Sequence, residues 1–245
     1  MQPQNVKNLL TKKLKDSLQT IQTFYEGLSE EERSRPGELK NWQAKDIVIH
    51  FNEWNKLLNQ ALRAILNQET PHLEEDYLAY NDRMYLEKHV QTWEETLANA
   101  AAVTEEAIQI VQSFTPEALL DPNHHPIFKG ATIASQIMGY YITHPSYHLA
   151  DYDLKNGRGD AAIERMQQIA EEISQYDESP RSKASTLYNV ACFFCMMDRL
   201  DEALDTLENV FPDAPDLKSW ARKDEDLSKL HQNERFLSMT ETEPE

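Results

Sequence analysis

Apolar residues recur three and four positions apart through most of the first 156 residues, and that spacing leaves few folds open. Over 5–28 the stripe is Val6, Leu9, Leu10, Leu14, Leu18, Ile21, Phe24, Tyr25 and Leu28. Residues so spaced share one face of an α-helix. A second stripe holds Trp42, Ile47, Phe51, Trp54, Leu57, Leu58, Leu62 and Ile65. It predicts a helix from Asn41, a good N-cap, to about residue 67. Thr92 and Glu95 form a capping box ahead of a third long helix over 93–114, and Thr115-Pro116 opens a brief turn. The fourth helix runs from about Thr132 to Asn156, where "NGRG" supplies a glycine stop. Between them, "SEEE" at 29–32 caps a short turn, Pro36-Gly37 breaks the chain, 70–91 holds a shorter helix, and 121–131 is loop. Only 6 glycines occur in 245 residues, fewer than hairpin turns use. The expected fold class is all-α, with four long helices burying their stripes against one another as a bundle.

Beyond residue 160 the helices shorten to 161–177, 183–197 and 200–211, with fragments to about 231. The stretch 187–215 fits one tetratricopeptide (TPR-like) unit. Leu187, Val190, Ala191 and Phe194 fall where its first helix packs, Ala203, Leu207 and Val210 match its second, and Pro215 closes it. Small Ala191 and Ala203 let two helices approach closely. The expected domains are a helical bundle over 1–157, a TPR-like segment over 158–238, and a disordered acidic tail over 239–245.

Charge narrows the partners. The formal net charge is −18 and the pI about 4.8. Such a surface repels phosphate backbones and anionic bilayers, so neither nucleic acid nor a membrane is expected. No stretch approaches a membrane span, and "MQPQNVKNLLTKKLK" has no signal-peptide core. Two cysteines build no disulfide framework. The expected compartment is the cytoplasm. "CFFC" at 192–195 falls mid-helix, away from the helix start that would activate a thiol, and reads as buried small hydrophobes.

One constellation carries chemistry. In "YYITHPSYH", His144 and His148 are four apart and share a helix face. A third imidazole would come from another helix, and His50, on the stripe of Ile47, Trp54 and Leu57, is the best candidate. Neutral imidazoles are common ligands for zinc and nickel, and three leave a position for water or substrate. Asp46 and Glu53 flank His50 at helical spacing, and Asp151 follows His148 by three, so these could orient the rings. Trp54 and Tyr141 would line the same cavity or fill core. The alternative is core histidines bonded to carbonyls or tyrosine hydroxyls. Pro145 costs a helix interior about 3 kcal/mol through a lost bond and a clash with the Tyr141 carbonyl. Either the helix kinks there, or it restarts with His144 near its N-cap.

"NWQAKDIVIHFNEW" (41–54) resembles the second-helix signature of the DinB-like four-helix superfamily, and "HPSYH" (144–148) resembles the H-x-x-x-H of its fourth helix. The middle segment, from "DYLAYNDRMYL" to "QSFTPEAL", is similar to the branch that includes the colibactin self-protection protein. The resemblance covers about 5–156. It implies an up-down-down-up bundle and a divalent metal, Zn or Ni, on His50, His144 and His148. It also implies an enzyme acting on a small electrophilic molecule, by hydrolysis or thiol transfer. The rival expectation is a non-catalytic interaction module, with the TPR-like segment binding a protein partner and the bundle serving as scaffold. A homodimer through exposed helix faces is compatible with either. No G-x-G-x-x-G, P-loop, G-x-S-x-G or H-E-x-x-H occurs.

Overall fold

A computed structural model describes residues 5–173 and 180–241. Among these every regular element is helical, apart from one isolated bridge between Glu38 and Asn41. No described helix is long and apolar enough to cross a membrane. The chain parts into two compact units, residues 1–145 and 146–245. The boundary expected at 157 falls at the end of a helix.

The first unit is built on three long helices, α1 (Val6–Gly27), α3 (Ala44–Leu66) and α5 (Trp93–Ser113). Short α2 (Glu30–Ser34), α4 (Tyr77–Lys88) and α6 (Pro116–Leu120) lie between or after them. Leu10, Leu14, Phe51, Leu58, Leu62 and Val111 are fully buried. Each such side chain contributes about 1.5–3 kcal/mol of transfer free energy. Two buried amides on α3 tie it to α5. Asn52 Nδ2 donates to the Thr96 carbonyl, and Asn59 Nδ2 to the Val103 carbonyl, both at 2.9 Å. The capping boxes at Ser29/Glu32 and Thr92/Glu95 form as expected, and Pro116 takes the first position of α6.

The start of α3 differs from expectation. Asn41 exchanges two backbone hydrogen bonds with Glu38, so the helix begins at Ala44. Its N-cap is Gln43, and the carboxylate of Asp46, three residues on, accepts the Gln43 N–H at 3.0 Å as part of a capping box. Burial raises the Asp46 carboxyl above its ordinary range. Gly37 sits so close that an added Cβ would lie 1.8 Å from Asp46 Oδ2. Gly37→Ala should therefore disturb the capping box and destabilise the fold by about 1–2 kcal/mol. Chemical denaturation would measure this, and an unchanged midpoint would remove Gly37 from the argument.

The last helix of this unit has three parts. Thr132 caps α7 (Ile133–Met138), a π-helical turn covers Gly139–Thr143, and α8 (His144–Lys155) continues into the second unit. Its end is a Schellman stop. Gly157, at φ 78°, bonds the Leu154 carbonyl, and the Arg158 N–H bonds that of Asp153.

In the second unit α9 (Gly159–Ile173) and α11 (Leu200–Val210) both pack on α10 (Pro180–Met196). Ala191 and Ala203 are fully buried, with Met166, Phe193 and Leu207 in the same core. The expected helix end at 177 lies outside the described residues. Further on come α12 (Leu217–Ala221) and α13 (Glu234–Thr240). Residues 239 and 240 belong to α13 rather than to a disordered tail, because buried Thr240 bonds the Phe236 carbonyl. Residues 242–245 lie outside the described set.

Candidate metal centre

Pro145 falls in the first turn of α8, directly after a π-helical turn. The helix runs on through the π-turn, in which the His144 N–H donates to the Gly139 carbonyl five residues back. In an α-helix the Tyr141 carbonyl would take its bond from residue 145, and proline has no N–H to give. That carbonyl instead accepts from the Ser17 hydroxyl of α1 at 2.5 Å, in a buried contact.

His144 therefore begins α8, and its ring faces α3. His144 Nε2 and His50 Nε2 are 2.9 Å apart, with ring centroids at 4.8 Å. Without an ion, one nitrogen must donate and the other accept, so the two rings share one proton. His148 follows one turn later on the same unbroken helix, and helix continuity sets its place relative to His144. One ring nitrogen from each of His50, His144 and His148 lies within 4.8 Å of the others.

The donor set suits a divalent ion such as zinc or nickel. Nitrogens on a tetrahedral zinc with bonds of about 2.0–2.1 Å stand roughly 3.3 Å apart, close to the separation of the first pair. Ligands must be neutral imidazoles. Burial, then the Lys155 charge, lowers the His148 pKa to about 4, so its lone pairs are available at neutral pH. This has a consequence for the metal-free protein. The unfolded chain protonates His148 as pH falls through the ordinary value near 6.5, while the native state resists until about 4. The contribution of His148 to stability should be flat above pH 6.5 and decline by up to about 3 kcal/mol between 6.5 and 4. Denaturation midpoints of wild type and His148→Gln across that window would show it. Equal slopes in both would exclude His148 as the source.

The remaining expected site residues are placed differently. Asp46 belongs to the capping box of α3. Asp151 pairs with Lys155 at 2.7 Å. Glu53 lies near Tyr80, whose hydroxyl is pushed up to about 12 by burial first and by that carboxylate second. The Tyr141 hydroxyl donates to Asn59 Oδ1 at 3.0 Å and belongs to the core. Trp54 does flank the site, 6.1 Å from the His50 ring, with Nε1 donating to Asn81 Oδ1. Trp42 is closer, at 4.9 Å, and Tyr80 and Tyr140 pack against Trp54. Sequence reasoning placed Trp42 on the apolar stripe of a helix, yet it precedes α3. Ser17 was missed altogether. Its signal was a polar residue in the buried row Leu10, Leu14, Ile21 and Phe24.

A second group, Cys192, Asp224 and Asp226, also brings ligand atoms within 4.8 Å. One of its two carboxylates is already engaged. Asp224 Oδ2 accepts from the Tyr188 hydroxyl at 2.8 Å and from Trp220 Nε1 at 3.2 Å. Burial, reinforced by Asp224, raises the Cys192 thiol well above its ordinary value, away from the thiolate a metal needs. We read this group as a structural hydrogen-bond hub.

Neither the curated proteins nor the solved structures compared with the chain yield a match. Residues 13–151 match the profile of the DinB superfamily, a metal-binding family, and this span includes all three histidines. On that match, which covers more than half of its length, the chain belongs to the DinB superfamily.

Proposed function

We propose that the chain is a divalent-metal-dependent enzyme acting on a small electrophilic molecule, by hydrolysis or thiol transfer, in a detoxification or self-protection role. The observation that carries this reading is the convergence of three imidazoles on a half-buried, aromatic-flanked spot. His50, His144 and His148 would hold the ion. Three neutral ligands leave its charge undiminished, so a bound zinc or nickel ion would supply Lewis acidity and lower the pKa of a water or thiol. Trp42 and Trp54 would exclude water and offer apolar faces to an organic substrate. In this reading α1, α3, α5 and the α7–α8 rod form the up-down-down-up bundle, and α10 with α11 is the TPR-like unit.

The test is elemental analysis of protein purified without a histidine tag. Binding near one equivalent of zinc or nickel is expected. Less than about a tenth of an equivalent, after either metal is supplied, would overturn the proposal.

The rival reading is an interaction module working through the C-terminal unit, which exposes Trp220 and Leu237, although the first unit exposes Tyr77, Leu78, Leu86 and Val90 as well. His148→Ala separates the readings. It weakens metal retention if the bundle is an enzyme and alters only stability if it is scaffold.

A further inference from the structure

Two features of the sequence break local rules and meet in space. Pro145 sits inside a helix, where it withholds a hydrogen bond from the Tyr141 carbonyl and crowds it. Ser17 is a polar residue on the buried face of α1, where a hydroxyl needs a partner. The hydroxyl of one satisfies the carbonyl left by the other, at 2.5 Å. Tyr141 is also held at its other end. Its hydroxyl donates to Asn59 of α3, the helix that carries His50. The π-turn is thus pinned to α1 through its backbone and to α3 through its side chain.

Position on the helix is what this fixes. A π-turn takes up about one residue more than an α-turn, so an α-helical path through 139–143 would swing everything beyond it roughly 100° about the axis. His144 is the first residue beyond the turn, and its Nε2 is 2.9 Å from that of His50. A swing of that size would take the ring out of reach. We infer that the π-turn, enforced by Pro145 and held by Ser17, aims the His144 ring at His50, which makes Ser17 a positioning residue for the site. The inference rests on reading His50 and His144 as metal ligands.

Three variants test it, with zinc as the probe. Pro145→Ala restores an N–H at 145 and lets the turn relax to α-helix. Its metal-free thermal midpoint should hold or rise, while zinc affinity, read by competition with a chelating dye, falls at least about tenfold. A purely structural role would move both in the same direction. Ser17→Ala should weaken zinc binding and also lower the metal-free midpoint, and Ser17→Thr, which keeps the hydroxyl, should restore zinc binding. If wild type binds zinc, unchanged affinity in Pro145→Ala overturns the inference. Should that variant not fold, unchanged affinity in Ser17→Ala does so. If wild type takes up no zinc, the metal reading fails by itself. The separation of the two rings in a crystal structure of metal-free Pro145→Ala then decides. Rings moved out of hydrogen-bond reach uphold the inference, and rings still in contact overturn it.

Discussion

His144→Ala should lower zinc or nickel affinity by roughly a hundredfold. The size follows from ligand count. Structural zinc sites with four protein ligands bind with apparent free energies of about 10–16 kcal/mol, so one ligand contributes about 3 kcal/mol. His144 is the shared member of the site, 2.9 Å from His50 on one side and one helical turn from His148 on the other. Removing it leaves two rings with nothing between them to close the set. The control is His72→Ala, an exposed imidazole outside the cluster. Dye competition at neutral pH should find the control at the wild-type value. A His144→Ala protein that binds metal as tightly as the control would exclude this ring as a ligand.

The largest effect on stability is expected at Asn59. This side chain is fully buried, donates to the Val103 carbonyl at 2.9 Å and accepts the Tyr141 hydroxyl at 3.0 Å. Asn59→Leu keeps the volume and deletes both bonds, along with a third from Asn59 Nδ2 to Glu106 Oε2 at 3.2 Å. The groups left behind are buried, so the desolvation penalty is large, about 2–4 kcal/mol in all. Tyr141→Phe should be milder, because it removes a hydroxyl along with its need for a partner, while Asn59 keeps its other bonds. The double variant should fall short of the sum by about 1 kcal/mol, since the two share one bond. Urea denaturation of the four proteins gives the cycle. A loss below about 1 kcal/mol in Asn59→Leu would mean the site relaxes and the tie between α3 and the π-turn is weak.

Much of the scaffold can be read from residue order because local chemistry agrees with the fold. The Ser29/Glu32 and Thr92/Glu95 boxes, Pro116 at a helix start and Gly157 at a helix end all act within a few residues of themselves. The three histidines were legible for a similar reason. His144 and His148 share a face by spacing, and His50 interrupts an apolar stripe. What failed was direction. Asp46 stands four residues from His50 and Asp151 three from His148, but spacing does not say which neighbour a carboxylate answers. Asp46 takes the Gln43 N–H and Asp151 takes Lys155. The same holds for Tyr141, whose hydroxyl turns to Asn59. The π-turn was beyond reach because its stabilising partner, Ser17, lies 124 residues from Tyr141.

The two cysteines carry a practical consequence. They are the chain's whole complement, both lie in α10, and they are 2% and 0% exposed. An alkylating reagent can reach either sulfur only after the C-terminal core opens. The rate of modification is therefore a built-in clock for the opening of that half, and the bundle carries no thiol to blur the signal.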